Sequence, residues 1–165
     1  MRFIWLGLFL FVLLTGCGFQ LRGSQDYNFD IQNIELKANN ARSELLAEIA
    51  TTFASQGLDN QPGAEYSLRV ISEGVNRRPV ASTGDISVSE YELRLDVTFQ
   101  VTKAGTIIIP PTSVFVEKNY SFDAGSLVGS NKEEELVVEE MRQDAAGQIL
   151  RRLQAALRTQ ERKPR

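Results

Sequence analysis

Cys17 is the only cysteine among the 165 residues, and the sequence contains no histidine. A lone cysteine has no disulfide partner in its own chain, so its thiol is left for other chemistry. The lack of histidine removes the commonest general base, every Ser-His-Asp or Cys-His arrangement, and all histidine-ligated metal sites. Paired-carboxylate or Ser-Lys chemistry stays formally open, and Asp85, Glu90 and Glu92 lie near one another in the sequence. Nothing in their spacing implies a cleft. The chain reads as a non-enzyme with no metal and no cofactor.

The residues before Cys17 decide what its thiol is for. An apolar run, Phe3 to Leu14, follows Arg2 and ends in the small residues Thr15-Gly16. Twelve residues rise roughly 18 Å as a helix, short of a hydrocarbon core of about 30 Å, so the run is no transmembrane span. A basic n-region, an apolar h-region and small residues at the cut form a signal peptide. Leu14-Thr15-Gly16-Cys17 resembles the lipobox of bacterial lipoproteins. That resemblance implies cleavage before Cys17, a diacylglycerol on its thiol and an acylated new N-terminus. Several acyl chains on one residue hold a protein stably to a membrane where one would not. Gly18, where the enterobacterial pattern places Asp to retain a protein at the inner membrane, favours the outer membrane.

Removing residues 1–16 leaves 165 − 16 = 149 residues, enough for one domain with a single core. The apolar fraction of 42% and charged fraction of 24% are those of an ordinary globular protein. The net charge of −3 becomes −4 when Arg2 is lost, and nothing in that balance suggests nucleic acid, which wants a strongly basic face.

Phe29 to Leu36 reads as a strand whose apolar phase slips once between Ile31 and Ile34. Leu45, Leu46, Ile49, Ala50 and Phe53 predict a helix over 41–56, with Gly57 in the C′ place. Tyr66, Leu68 and Val70 begin a second strand that continues to about Asn76, and residues 77–86 read as its connection onward. Across 90–102, Tyr91, Leu93, Leu95, Val97, Phe99 and Val101 alternate with polar residues without a miss, the pattern of a strand with one buried face. Ile107-Ile108-Ile109 and residues 113–122 complete the strands; three isoleucines in a row imply either a bulge or buried end, or contact with a partner. The apolar stripe Val137, Met141, Ala145, Ile149, Leu153 and Ala156 predicts one long helix from Asn131 to about Arg158. The expected fold is α+β: two helices packed on one face of a roughly four-stranded, mainly antiparallel sheet, in the order β-α-β-β-β-α. The expected organisation is a signal peptide at 1–16, a lipidated tether at 17–27, a single domain at 28–158 and a polar tail at 159–165.

The mature start, Cys17-Gly18-Phe19-Gln20-Leu21-Arg22, resembles that of the LPS-assembly lipoprotein LptE family, whose members commonly begin Cys-Gly-(aromatic)-x-Leu-Arg. Glu90-Tyr91, the Glu133 to Met141 stretch, and the order of elements are similar as well. The resemblance implies a non-enzymatic role in the last step of lipopolysaccharide (LPS) export. Its members plug the lumen of the outer-membrane β-barrel LptD, help it assemble and contact LPS, lipid-anchored and facing the periplasm and the barrel lumen. It also implies basic residues for lipid A phosphates near the turn before the alternating strand and in the loop before the last helix. The first place reads Ser82-Thr83-Gly84-Asp85, so Arg77 and Arg78 stand in as its nearest cations; at the second, Lys132 is carried over, slightly displaced. The same three residues are equally readable as solvated loop charges. The alternative function is a lipid-anchored scaffold for a different envelope complex or for the cell wall.

Overall fold

The computed structural model describes residues 31–39, 43–82, 88–123 and 127–161. Cys17, the signal segment 1–16, the tether 17–27 and residues 83–87 lie outside the described residues.

Strand β1 spans Asn33–Ala38, with Ile34 buried in the core and Leu36 packed partly against it. Helix α1 spans Ser43–Ala54 and buries Leu45, Ile49 and Phe53, a four-residue spacing that puts all three on one face. It closes as the sequence predicts at Gly57, whose φ of 78° is the left-handed conformation that glycine adopts without strain. Gly57 N–H donates to Ala54 O and Leu58 N–H to Phe53 O, both at 3.0 Å, a Schellman closure that brings buried Leu58 onto buried Phe53.

Strand β2, Asp59–Asn60, is a two-residue parallel pairing with β1. It extends through a side chain, because Asn60 Oδ1 accepts from Leu36 N–H at 3.0 Å. Three long antiparallel strands follow: β3 (Tyr66–Ser82), β4 (Val88–Lys103) and β5 (Thr106–Asp123). The sheet is therefore five-stranded and mixed, in the order β2-β1-β3-β4-β5, rather than four-stranded; β1 runs parallel to both its neighbours. The class stands, and the count changes because two polar residues carry no periodic signal.

Residues 77–82 extend β3 instead of connecting it onward. Turn chemistry in Arg77-Arg78-Pro79 is overridden by pairing with β4, and Pro79, which has no N–H to give, sits at a register shift beyond the point where β1 ends. Pro110-Pro111 likewise interrupts β5 without ending it. The register steps from Phe99↔Thr112 to Val101↔Ile109 across the pair, on an outermost strand where a missing donor is tolerated. A second shift there resolves the isoleucine run: Ile109 is buried, Ile108 is half-buried against the core, and Ile107 is exposed. Ala104 and Gly105, with φ of 46° and 81°, form the two-residue turn between β4 and β5.

Helix α2 spans Leu127–Glu161, beginning before Asn131 and continuing past Arg158 into the expected tail. Both helices cover the same sheet face. Leu93, Leu95, Val97, Phe99 and Val101 of β4, all fully buried, meet Met141, Ala145, Ile149 and Leu153 of α2 in one cluster with α1. The opposite face, where Arg94 and Asp96 lie, has no layer over it among the described residues.

Candidate binding groove and open sheet face

The pleat sends neighbouring side chains to opposite sides of a sheet. Arg77 sits opposite Leu93 and shares its helix-covered face; Arg78 sits opposite Glu92 on the open one. Both are strand residues. Arg77 Nη1 donates to Tyr120 Oη at 3.2 Å and to Glu134 Oε2 of α2 at 3.1 Å, and its guanidinium lies 4.8 Å above the Tyr91 ring. Tyr120 in turn donates to Glu134. Tyr91 stacks on Tyr120 and meets Phe122 edge-on, each with centroids 5.9 Å apart. This cluster closes the far end of the core. Burial, and then the hydrogen bond to Glu134, push the Tyr120 phenol above its ordinary pKa; the bond to Tyr120 holds the Arg77 guanidinium more firmly protonated still.

Arg78 instead makes a two-point pair with Glu92, its Nη2 donating to Oε2 at 3.0 Å and its Nε to the other oxygen. That pair lowers the Glu92 pKa and raises that of Arg78. Arg94 continues the ladder to Asp96 and Glu117 and lies 4.3 Å above the exposed Phe115 ring.

Lys132 is in the second turn of α2, not in a loop, and pairs with Glu135 at 3.1 Å while staying 69% exposed. It lines a groove of about 1050 Å³ between α1, the first half of α2 and β3, together with Arg77, Arg142, Val75 and Leu136. Two of the three cations expected from the sequence thus share one groove. Arg78 lines a second hollow of about 230 Å³ with Glu92, Arg94 and Glu117, which Arg77 lines as well.

Sequence reasoning missed the groove's floor. Arg142, 8% exposed, donates from Nε to Glu73 Oε1 at 2.9 Å. The signal was there: the register puts Glu73 opposite Val97 on the inner face, and Arg142 follows Met141 in the apolar stripe. The groove carries Glu44, Glu48, Glu134, Glu135 and Glu139 against Arg77, Lys132 and Arg142, so its formal balance is 3 − 5 = −2. A phosphate entering it would compete with carboxylates that already hold Arg77 and Lys132. Among the described residues no cluster of three acidic, cysteine or histidine side chains is placed to hold a metal ion, and no helix is long and apolar enough to cross a membrane.

The family model described as lipopolysaccharide-assembly, LptE, matches residues 24–153, which include every element that builds this groove. The chain belongs to the LptE family. It is 30% identical over 169 residues to the LPS-assembly lipoprotein LptE of Pectobacterium atrosepticum, covering 99% of this chain and 91% of that protein. It is 29% identical over 157 residues to the protein of the same name from Yersinia enterocolitica, covering 92% and 75%. Among solved structures, rare lipoprotein B from Shewanella oneidensis superposes with a TM-score of 0.68 at 24% identity, covering 78% of this chain and 98% of that one. A minor lipoprotein from Acinetobacter baumannii does so with a TM-score of 0.62 at 25% identity, covering 75% and 91%. The family match and the curated relatives make the chain an LPS-assembly lipoprotein and not an enzyme.

Proposed function

We propose that the domain is the plug of an LPS translocon in the outer membrane, seated in the lumen of the β-barrel LptD, assisting its assembly and contacting LPS during insertion. The observation that carries this reading is the LptE family match over residues 24–153. In it, the lipid on Cys17 holds the domain at the membrane, facing the periplasm and the barrel lumen. Binding to the barrel comes from protein surface buried in the lumen. Arg77 and Lys132, which share a groove, supply charge-assisted donors to lipid A phosphates, and Arg78 contributes from the other face.

A tagged pull-down from detergent-solubilised outer membrane tests the central claim. The expected result is one stoichiometric, heat-modifiable large barrel; recovery of the lipoprotein alone in several mild detergents would leave the envelope-scaffold role. Cys17→Ala should block lipidation and leave the precursor uncut by the lipoprotein-specific peptidase, and normal acylation in that variant would refute the anchor. Arg77→Asp with Lys132→Asp should weaken LPS binding with an unchanged circular dichroism spectrum. Unchanged LPS affinity would make both residues structural charges only.

A further inference from the structure

Strand β3 is paired with β4 along its whole length, but on its other side only as far as Val70. There β1 ends at Ala38, opposite Val70, and Asn39 N–H gives the last bond to Val70 O at 3.0 Å. Among the described residues no strand pairs with that side of β3 from Ser72 onward. Such an edge presents a row of donors and acceptors to any extended chain. The other long edge of the sheet is guarded differently. β5 is interrupted by Pro110-Pro111, and α2 covers it, with Gln148 Nε2 donating to Phe115 O at 3.0 Å. On β3 the irregularities lie at Val70/Ser72 and Pro79/Ala81, which leaves Ser72 to Arg78 regular.

That regular stretch is also a wall of the groove, through Val75 and Arg77. The groove's balance of −2 favours a cationic occupant, and Val75 and Leu136 offer it apolar surface, 36% and 51% exposed.

The geometry points to strand addition: an extended, basic segment of a partner polypeptide pairs with β3 over Ser72 to Arg78, its inward Lys or Arg side chains meeting the groove's carboxylates. Residues 18–30 of this chain do not suit the role, since they carry one cation, Arg22, against Asp26 and Asp30. The inference stands apart from the barrel reading and survives its failure, but it competes with the lipid A contact at Arg77 and Lys132, which draws on the same groove.

The test uses the full mature chain and a fluorescent peptide of about ten alternating Lys and Val residues, long enough to cover the open edge. Saturable binding that weakens with salt is expected, together with slowed hydrogen exchange at the amides of Ser72 to Arg78 that point away from β4. The same peptide N-methylated at alternate residues should bind at least about tenfold more weakly, because it cannot complete a ladder. Glu48→Lys with Glu139→Lys should weaken the parent peptide about tenfold as well, through like-charge repulsion. Three results would each overturn the inference. One is equal affinity for the N-methylated peptide, and another is equal affinity for a Glu-Val peptide. The third is protection, before any peptide is added, of those amides of Ser72 to Arg78 that point away from β4, which would mean that this chain or a second copy already covers the edge.

Discussion

Arg77 and Arg78 are adjacent in the sequence and belong to different parts of the molecule. Arg77 enters the covered face, where an aromatic ring, a phenol and a carboxylate from α2 surround it. Arg78 enters the open face, where it is 72% exposed and answers only to the ladder of charges around it. The covered face is held by burial, with polar groups such as Arg142 and Glu73 tolerated where they pair. The open face is held by backbone pairing, with side chains free to serve a contact. A shift of one residue in register would exchange the two roles.

Substitutions that separate the faces should rank accordingly. Phe99→Ala, at the centre of the covered face and fully buried, should destabilise by about 3–5 kcal/mol in denaturant titration. Phe115→Ala, 52% exposed on the open face, should stay within about 0.5 kcal/mol of wild type. Similar losses for the two phenylalanines would erase the distinction between the faces. Arg142→Met alone removes the cation paired at 2.9 Å with the 3%-exposed Glu73 carboxylate and should cost about 3 kcal/mol or more, whereas Arg142→Met with Glu73→Leu should recover most of it.

Tyr120→Phe removes two hydrogen bonds, one accepted from Arg77 and one donated to Glu134, and should cost about 2 kcal/mol near neutral pH. Because the folded state raises the Tyr120 pKa, its contribution is present in full below the ordinary value of 10.0 and is lost as pH climbs through the higher folded value. Lys118, raised by its bonds to Glu140 and Asp144, adds alkaline sensitivity of the same sign. The comparison is therefore between wild type and Tyr120→Phe: stability should converge as the phenol ionises, and a constant gap to high pH would show that the hydroxyl is not in this network. The smallest effect belongs to the open face. Arg78→Ala should leave the melting temperature unchanged within error, since exposed ion pairs contribute little.

The same contrast explains how much of the molecule was legible. Leu93, Leu95, Val97, Phe99 and Val101 announce a half-buried strand because burial leaves a period of two, and Leu45, Ile49 and Phe53 announce a helix for the same reason. Gly57 marks the end of α1 because few other residues accept its φ. Asp59-Asn60 announces nothing, being held by neighbours distant in sequence. Arg77-Arg78-Pro79 reads as a turn from local preference, and β4 overrules it with a long ladder. In the groove, residue type picked out Arg77 and Lys132, but their carboxylate partners are set by register and helix phase, which composition does not carry.

The parallel alignment of β1 with β3 has a mechanical consequence. β1 is the first described strand, so tension that reaches it from its N-terminal side runs along the strand axis. The pairs from Glu35↔Ser67 to Ala38↔Val70 are then loaded together in shear instead of being peeled open one at a time. A domain pulled from its N-terminal end while its far end is gripped resists through all of these bonds at once, and should yield at a higher force than the same domain pulled from α2.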